Sequence, residues 1–315
     1  MTGERVLVIK LSALGDFIQA TGAMAAIRRT HPDAEITFLT TPPYAAMAAA
    51  TGWFDVVWSD GRPGWGYLPA VARLIARLRA ARFDRVYDLQ CQSRTNRYFW
   101  LLGPQRPPWS GNARGASMTY RAPERDSLHI QDLFRRQLAV AGIDDVPASD
   151  LSWLRGDITG LTPAGPFALL APGGAAHRPA KRWPAALYGE LAARLTARGV
   201  TPVVLGHGAE EAALAAVILA AAPGAVSLVG ATSLGSIASL AREAVLAVGN
   251  DTGPMQVVVA AGCPAVVLFS GESDPAMSAP RPIRPDQPVT ILREMDLADL
   301  AVEPVWAATE AIRTR

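Results

Sequence analysis

"AVLAVGNDTGPMQVVVAAGCPAVVLFS", residues 244–270, holds two short apolar runs on either side of an apolar helical segment. The runs 244–250 and 264–270 are typical of strands buried on both faces, and 254–262 between them is typical of a helix. Two strands joined by a crossover helix pair in parallel. This stretch therefore predicts a parallel sheet covered by helices.

The same alternation of strand and helix runs through the rest of the chain. The other predicted strands are 5–12, 35–40, 55–60, 85–90, 167–173, 201–207 and 225–230. The other predicted helices are 16–30, 43–51, 68–82, 127–141, 184–198, 209–222, 233–243 and 296–313. Residues 143–166, rich in Pro, Gly, Asp and Ser, predict an interdomain linker. We therefore predict an α/β fold of two doubly wound parallel-sheet domains facing each other across a cleft, with ligands at the carboxyl ends of the strands.

Composition agrees with a two-domain chain that is reduced and soluble. Half of the 315 residues are hydrophobic and 18% are charged, which allows a large core. Cys91 and Cys263 stand far apart without metal-like spacing, which suits a cytoplasmic protein. The longest apolar runs, 212–226 and 257–269, are too short to span a bilayer, and the first residues lack the apolar core of a signal peptide. We expect no transmembrane segment.

Charge is unevenly distributed along the chain. The net charge is +2, but residues 61–136 hold 14 arginines against five acidic residues. This stretch is either a set of solvated helix faces or a basic surface for an anionic partner or a membrane. Lysine occurs only at Lys10 and Lys181, which suggests that a compact ammonium is needed at both places.

The segment LSALGD, residues 11–16, places Asp16 where a strand ends and a helix begins. Asp16 is either a helix N-cap or a carboxylate that takes a proton from a substrate hydroxyl. Lys10 and Ser12 lie beside it in the sequence. The segment has neither the dinucleotide-binding nor the P-loop pattern, which disfavours nicotinamide and Walker-type functions.

A second polar segment, PAKRWP, follows a glycine turn. Gly173 and Gly174 end a strand, and Lys181 precedes a helix that begins with Pro184. Glycine amides, a helix N-terminus and a cation together make a phosphate site. The alternative is an ordinary surface loop before a proline-started helix.

A third polar segment lies inside the opening stretch. Asp251, Thr252 and Gly253 follow the strand, Pro254 fits the first helical position, and Gln256 then becomes the third helical residue. Free amides at the start of this helix are suited to an anion. The alternatives are an Asx turn for Asp251 and a capping box for Gln256.

The segments LSALGD, PAKRWP and GNDTGPM, in this order, resemble the glycosyltransferase family 9 heptosyltransferases, which build the inner core of lipopolysaccharide. Residues 82–94, 229–244 and 266–275 support the resemblance. It implies a GT-B fold with two Rossmann-like domains, 1–155 for the acceptor and 156–295 for the nucleotide-sugar. Residues 296–315 would be a C-terminal helix, with the first domain as a candidate packing partner.

The resemblance also implies the reaction and the site residues. It implies inverting transfer of heptose from ADP-L-glycero-D-manno-heptose to an inner-core type acceptor, with no metal and no other cofactor. Asp16 matches the general base, and Lys181 matches the catalytic lysine on the donor diphosphate. The nucleotide-sugar set is Gly173, Gly174, Lys181, Glu210 (or Glu211, near the ribose), Asp251, Thr252, Gly253 and Gln256. The acceptor set is Lys10, Ser12, Arg94 and Arg97.

One position departs from the family. Its members usually carry histidine where this chain has Gln256, and glutamine donates a hydrogen bond but cannot become cationic. A transferase or epimerase for another nucleotide-sugar, and a non-catalytic nucleotide-sugar binding protein, are therefore the alternatives. The expected partners are a nucleotide-sugar and an anionic glycolipid, met at the inner face of the inner membrane, and nucleic acid is not expected.

Overall fold

The computed structural model describes residues 3–64, 66–104, 106–121, 124, 127–174 and 178–314. The chain divides into two compact units, Met1–Ser149 and Asp150–Arg315. Each unit contains one parallel sheet with helices packed against it. The predicted α/β fold with two doubly wound parallel sheets is confirmed.

The first unit alternates strands and helices along the chain. Its strands are β1 Arg5–Ile9, β2 Glu35–Leu39, β3 Val56–Trp58, β4 Arg85–Asp88 and β5 Trp109–Ser110. Its helices are α1 Leu14–Gln19, α2 Thr21–Thr30, α3 Pro42–Ala50, α4 Leu68–Ala81, α5 Ser93–Leu101 and α6 Ile130–Val140. Among the described residues the strand order is β3-β2-β1-β4-β5, with every neighbouring pair parallel. The sequence did not predict α5 or β5.

The core of the first unit explains why β1 is apolar throughout. Val6 to Ile9 are fully buried, because both faces of a parallel sheet are covered. Leu74 and Leu78, one helical turn apart on α4, pack into the same cluster as Leu7 and Ile9.

The second unit follows the same plan with one more strand. Its strands are β6 Phe167–Ala171, β7 Thr201–Val204, β8 Val226–Ser227, β9 Leu246–Asn250, β10 Ala265–Phe269 and β11 Val289–Arg293. Its helices are α7 Ala185–Ala197, α8 Gly208–Ala221, α9 Leu234–Glu243, α10 Gly253–Ala260, α11 Pro275–Ser278 and α12 Val302–Arg313. In the part that the structure describes, the order is β11-β10-β9-β6-β7-β8, all parallel. The sequence did not predict α11 or β11.

Residues 244–270 form the centre of this sheet. β9 and β10 pair in parallel, and α10 connects them, as predicted. Gly249 is required by close packing: a Cβ there would lie 2.6 Å from the Met255 sulfur and 2.7 Å from the Ala171 Cβ. The glycine therefore lets α10 and β6 approach β9.

The start of the second unit lies before the predicted boundary at 155/156. Leu151 donates its amide to the Ala260 carbonyl at 2.9 Å. Arg242 Nη2 donates to the carbonyls of Leu151 and Leu154 at 2.5 and 2.8 Å. These contacts make residues 150–154, inside the predicted linker, a packed part of the second unit, whereas residues 143–149 belong to the first unit.

The C-terminal helix differs from its prediction in both extent and packing. α12 begins at Val302, so Pro304 lies in its first turn, where a missing amide is tolerated, and not near the middle of a longer helix. Val305 and Ile312 are buried in the core of the second unit. The apolar face that the sequence offered to the first domain is thus used within the second unit.

Each sheet has a point where the strand order reverses direction along the chain. In the first sheet β1 lies between β2 and β4, and in the second β6 lies between β7 and β9. In open α/β sheets, ligands bind at the carboxyl ends of the strands at such a point. Among the residues that the structure describes, no helix is both long enough and apolar enough to cross a bilayer.

Candidate active site

Asp16 lies just beyond the carboxyl end of β1. α1 begins at Leu14 with Ala13 as its N-cap, so Asp16 is the third helical residue and the predicted N-cap role is wrong. Its Oδ2 accepts the Ala13 amide at 3.4 Å, which is long for a hydrogen bond. The carboxylate is partly exposed and only weakly engaged, as a proton acceptor needs to be.

Lys10 lies beneath this carboxylate and is buried. Its side chain is 2% exposed, and Nζ donates to the Leu89 carbonyl at 3.3 Å. Burial lowers the pKa of Lys10, and the charge of Asp16 opposes this lowering. The ammonium is therefore almost entirely shielded from solvent, and the acceptor role of Lys10 stays a prediction.

Asp88, the last residue of β4, is a functional candidate that sequence reasoning missed. Its Oδ1 accepts the amides of Gln90 and Cys91 at 3.0 Å each. Complete burial raises the pKa of Asp88 to about 6, against the hydrogen bonds that it accepts and the nearby charge of Lys10. A strand ending in aspartate beside β1 was the available signal. The first switch point therefore holds two buried ionisable groups near Asp16.

Ser12 marks the edge of an open cavity in the first unit. A cavity of about 470 Å³ lies beyond the carboxyl ends of β2 and β3, lined in part by Thr41, Asp60 and Arg62. Arg62 Nη1 donates to Ser12 Oγ at 3.3 Å. The structure thus brings Ser12 to a cavity with a cation, and Arg62 is a second residue that the sequence did not single out.

Arg94 and Arg97 lie on α5 near the same end of the sheet. Arg94 Nη1 donates to the Pro63 carbonyl at 2.7 Å, which ties α5 to the segment carrying Arg62. Arg97 is exposed on the helix surface. Arg94 is thus anchored by a backbone carbonyl and Arg97 lies on the surface, and their acceptor role stays a prediction.

Asn250 organises the switch point of the second sheet. Its Nδ2 donates to the carbonyls of Pro172 and Gly173 at 2.8 and 3.0 Å. Its Oδ1 accepts the Trp183 amide at 3.2 Å and the Tyr188 hydroxyl at 3.0 Å. Asn250 is fully buried and joins the glycine turn to the segment that carries the lysine. The sequence had indicated it only as the last residue of the predicted strand 244–250.

Lys181 and Asp251 form an ion pair at this point. Nζ lies 2.7 Å from Asp251 Oδ2, and the two side chains are 14% and 12% exposed. Ser273 Oγ donates to the same oxygen at 2.8 Å. The carboxylate is engaged by Lys181 and Ser273, so the Asx-turn alternative is not needed, and the ammonium is held at the carboxyl ends of β6 and β9.

The neighbours of Gly173 show which of the two candidate acids, Glu210 or Glu211, lies beside the glycine turn. A Cβ on Gly173 would lie 2.0 Å from Glu211 Oε1, so a side chain there would displace the Glu211 carboxylate. Glu211 Oε2 also accepts the His207 amide at 2.7 Å. Glu210 instead pairs with Arg182, whose Nη1 lies 2.5 Å from its Oε1 on the surface. Glu211, not the preferred Glu210, is therefore the acid beside the turn.

Gly174 is partly buried and bound through its carbonyl. Arg182 Nε donates to this oxygen at 3.2 Å, and a second guanidinium nitrogen of Arg182 does the same. Arg182 is consequently committed to Gly174 and Glu210. Lys181 remains the cation nearest the strand ends, and residues 175–177 of this loop lie outside the described residues.

The start of α10 is one residue earlier than predicted. Thr252 is the N-cap and Gly253 the first helical residue, so Gln256 is fourth and the capping-box alternative is wrong. The buried Thr252 hydroxyl has no hydrogen-bond partner among the described residues. Gln256 is 5% exposed, and its Nε2 donates to the Ser278 carbonyl at 2.9 Å. Its amide is thus used to hold α11.

The chain is similar to known proteins in both sequence and structure. Lipopolysaccharide heptosyltransferase 2 of Escherichia coli K12 is 28% identical over 303 residues, 88% of this chain and 85% of that protein. The family 9 glycosyl transferase of Veillonella parvula has a TM-score of 0.82 at 21% identity, covering 100% of this chain and 99% of that one. The E. coli ADP-heptose lps heptosyltransferase II has a TM-score of 0.76 at 21% identity, covering 98% of both chains. These two likenesses show a GT-B fold.

A family model gives the most direct assignment. The model of glycosyltransferase family 9 (heptosyltransferase) matches residues 71–301. This range reaches from α4 of the first unit to the residue before α12 of the second, and so includes both switch-point strands β4 and β9. The chain therefore belongs to glycosyltransferase family 9, the heptosyltransferases, and is a glycosyltransferase.

Proposed function

We propose that this enzyme transfers heptose, with inversion, from ADP-L-glycero-D-manno-heptose to an inner-core type lipopolysaccharide acceptor. The family membership and the heptosyltransferase relative support this donor and acceptor class. The observation that carries the proposal is the Lys181–Asp251 pair at the second switch point, beside a glycine turn. A partly buried ammonium at this place suits a nucleotide diphosphate.

The second unit binds the donor in this proposal. Lys181 leaves Asp251 in part to contact the diphosphate, and the first amides of α10 point to the same anion. Glu211, beside Gly173, accepts hydrogen bonds from the ribose hydroxyls. Asp251, released in part, accepts from the sugar. Gln256 supports α11 from behind and does not contact the donor.

The first unit binds the acceptor and supplies the base. Asp16 takes the proton of the acceptor hydroxyl as its oxygen attacks the anomeric carbon. The bond from that carbon to the diphosphate oxygen breaks, and ADP leaves with its charge held by Lys181 and the amides. One displacement inverts the anomeric centre. The cationic charge at the diphosphate comes from Lys181, and we propose that no metal takes part.

The acceptor and the place of action are part of the same proposal. Arg62, Arg94 and Arg97 provide positive charge at the acceptor end of the first unit, which suits a glycolipid with phosphate and carboxylate groups. A cytosolic nucleotide-sugar and a lipid-linked acceptor meet at the inner face of the inner membrane. We expect the enzyme to act there as a peripheral protein.

Release of ADP from ADP-heptose, with and without inner-core lipopolysaccharide, tests this function. We expect acceptor-dependent release, an inverted product by NMR, and no loss of rate in EDTA. Asp16→Asn should lower kcat by about 10² or more, because it removes the base. Asp132→Asn, which removes a first-turn carboxylate of α6, is the matched control and should retain kcat. Turnover only with another nucleotide-sugar, or tight donor binding without turnover, would contradict the proposal.

A further inference from the structure

A second cavity in the first unit lies away from the candidate site. It has a volume of about 810 Å³ and is formed by the end of α4 and the segment between α5 and β5. Phe83 and Asp84 of its lining immediately precede β4, and Pro107 closely precedes β5. The cavity therefore lies at the amino ends of the parallel strands, the opposite edge of the sheet from Asp16.

The arginine-rich stretch is accordingly divided between two edges of the sheet. Arg62 and Arg94 lie at the carboxyl edge, whereas Arg79, Arg82 and Arg106 line the second cavity. The basic surface that the sequence offered as one of two alternatives is thus divided between the two edges. Because α4 runs antiparallel to the strands, its last turn carries its arginines to the amino edge.

The residues that the structure describes do not neutralise the charge of the second cavity. Among the described residues, none of the three lining arginines forms an ion pair. Asp84 is the carboxylate in the described lining, and its Oδ2 accepts the Arg5 amide at 2.8 Å. Three guanidiniums and one carboxylate leave a net charge of +2 at this cavity.

Neutral groups hold two of these guanidiniums in place. Arg79 Nη2 donates to the Leu101 carbonyl at 2.5 Å. Arg106 Nη1 donates to the Gly103 carbonyl at 3.3 Å, and its guanidinium lies 4.3 Å from the Phe99 ring centroid. These contacts order the side chains without neutralising them, and each guanidinium has five N–H donors, so most remain for a ligand.

We propose that this cavity binds a phosphate monoester. The net charge of +2 matches the dianion, and guanidinium forks match phosphate oxygens in a bidentate way. Leu78, Phe83 and Leu102 line the cavity beside the charges, so the ligand carries an organic group on its phosphate. The volume lies within the range of about 300 to 1,000 Å³ of small-molecule sites. The monoester is either free or carried by a lipid, since exposed Leu101, whose carbonyl accepts from Arg79, adjoins the cavity.

Binding to the full chain tests the proposal with two probes. Glycerol 3-phosphate, measured by calorimetry, represents the free ligand. Sedimentation with phosphatidylcholine vesicles containing phosphatidic acid represents the lipid-borne one. The site variant is Arg79→Gln with Arg106→Gln. The matched control is Arg73→Gln with Arg136→Gln, which removes two charges from exposed helix positions of the same unit.

We expect the site variant to lose at least tenfold in affinity for one probe, and the control to stay within twofold. Loss for glycerol 3-phosphate assigns a free ligand, and loss for the vesicles alone assigns a lipid-borne one. Equal losses in both variants, or no binding of either probe, would overturn the proposal. If the double variant unfolds, Arg82→Asn replaces it, since Arg82 has φ 49° and asparagine tolerates this region.

Discussion

Asp88 and Asn250 occupy the same place in the two sheets. Each is the last residue of the strand that pairs with the first strand of its unit across the switch point, and each is fully buried. Asn250 is neutral, and its amide makes four hydrogen bonds. Asp88 is ionisable, and burial raises its pKa to about 6.

The two units share one fold, and this difference matches the different tasks proposed for them. A saturated neutral amide fixes the strand ends of the second unit independently of pH, which suits the holding of a donor anion. A buried carboxyl beside Lys10 makes the first unit sensitive to protonation near the proposed base. In the proposed function, the titratable strand end lies near the base and the neutral strand end lies at the donor site.

Asn250→Asp gives the largest expected effect, because it makes the second unit resemble the first. A carboxylate would face the carbonyls of Pro172 and Gly173 that now accept hydrogen bonds. We expect the free energy of unfolding at neutral pH to fall by about 4 kcal/mol. Urea unfolding measures this, and acid should restore part of the loss by protonating the new carboxyl. A loss below about 1 kcal/mol would mean that the two positions are equivalent.

Asp88→Asn makes the opposite exchange and tests the pH dependence. The folded pKa of Asp88, about 6, lies above the ordinary value of 3.8, so its contribution to stability is full below that value and is lost as pH rises through about 6. The asparagine variant does not titrate there. As pH rises from 3.8 to about 6, its free energy of unfolding should increase relative to that of the natural chain by about 1.4 kcal/mol per pH unit, or about 3 kcal/mol in all. Urea unfolding measures this difference in the free energy of unfolding. If it stays constant between about pH 4 and 6, Asp88 does not titrate there and the contrast with Asn250 fails.

Lys181→Ala sharpens the binding side of the comparison. Loss of the ammonium should weaken ADP binding by about 1.5 to 3 kcal/mol, the range for a charged hydrogen bond. Lys181→Arg should restore only part of this, because a planar fork does not replace a compact ammonium. Calorimetry measures both, with Arg194→Ala, a half-buried arginine of α7 that pairs with Glu190, as control. Unchanged ADP affinity would place the donor elsewhere.

Gln256→Ala is expected to have the smallest effect. It removes the hydrogen bond to Ser278, so stability should fall by about 1 kcal/mol while ADP affinity changes little. Thermal unfolding and calorimetry on one sample distinguish the two. Weaker ADP binding at unchanged stability would instead mean that Gln256 contacts the donor phosphates.

The sequence was informative where the residue type alone indicates whether a position is buried or belongs to a polar site. Apolar runs such as β1 and β10 are buried on both faces, so their pattern alone indicated a parallel sheet. β11 lies at the edge of its sheet with half-buried residues and escaped this pattern. Asp16 and Asp251 stood out as carboxylates that follow strands, and Lys181 as one of only two lysines, placed before a helix. No contact of theirs was needed to select them.

The rest depended on partners that are distant in the chain. Asn250 meets Trp183 across 67 positions, and Ser273 meets Asp251 across 22, so neither role is visible locally. Glu210 and Glu211 both lie in the first turn of α8, about 100° apart around the helix. Only the direction of that helix decides which one faces Gly173.

Trp183 has a consequence for the order in which the protein is made. Its indole Nε1 donates to the Leu300 carbonyl at 2.7 Å, a residue 117 positions further along the chain. At about 5 to 20 residues per second, the ribosome completes that partner roughly 6 to 23 s after Trp183. Until then the Trp183 indole lacks this partner, whereas the first unit already has all of its own strands. The strands of the proposed acceptor half are thus complete before the buried environment of Trp183 in the second unit is.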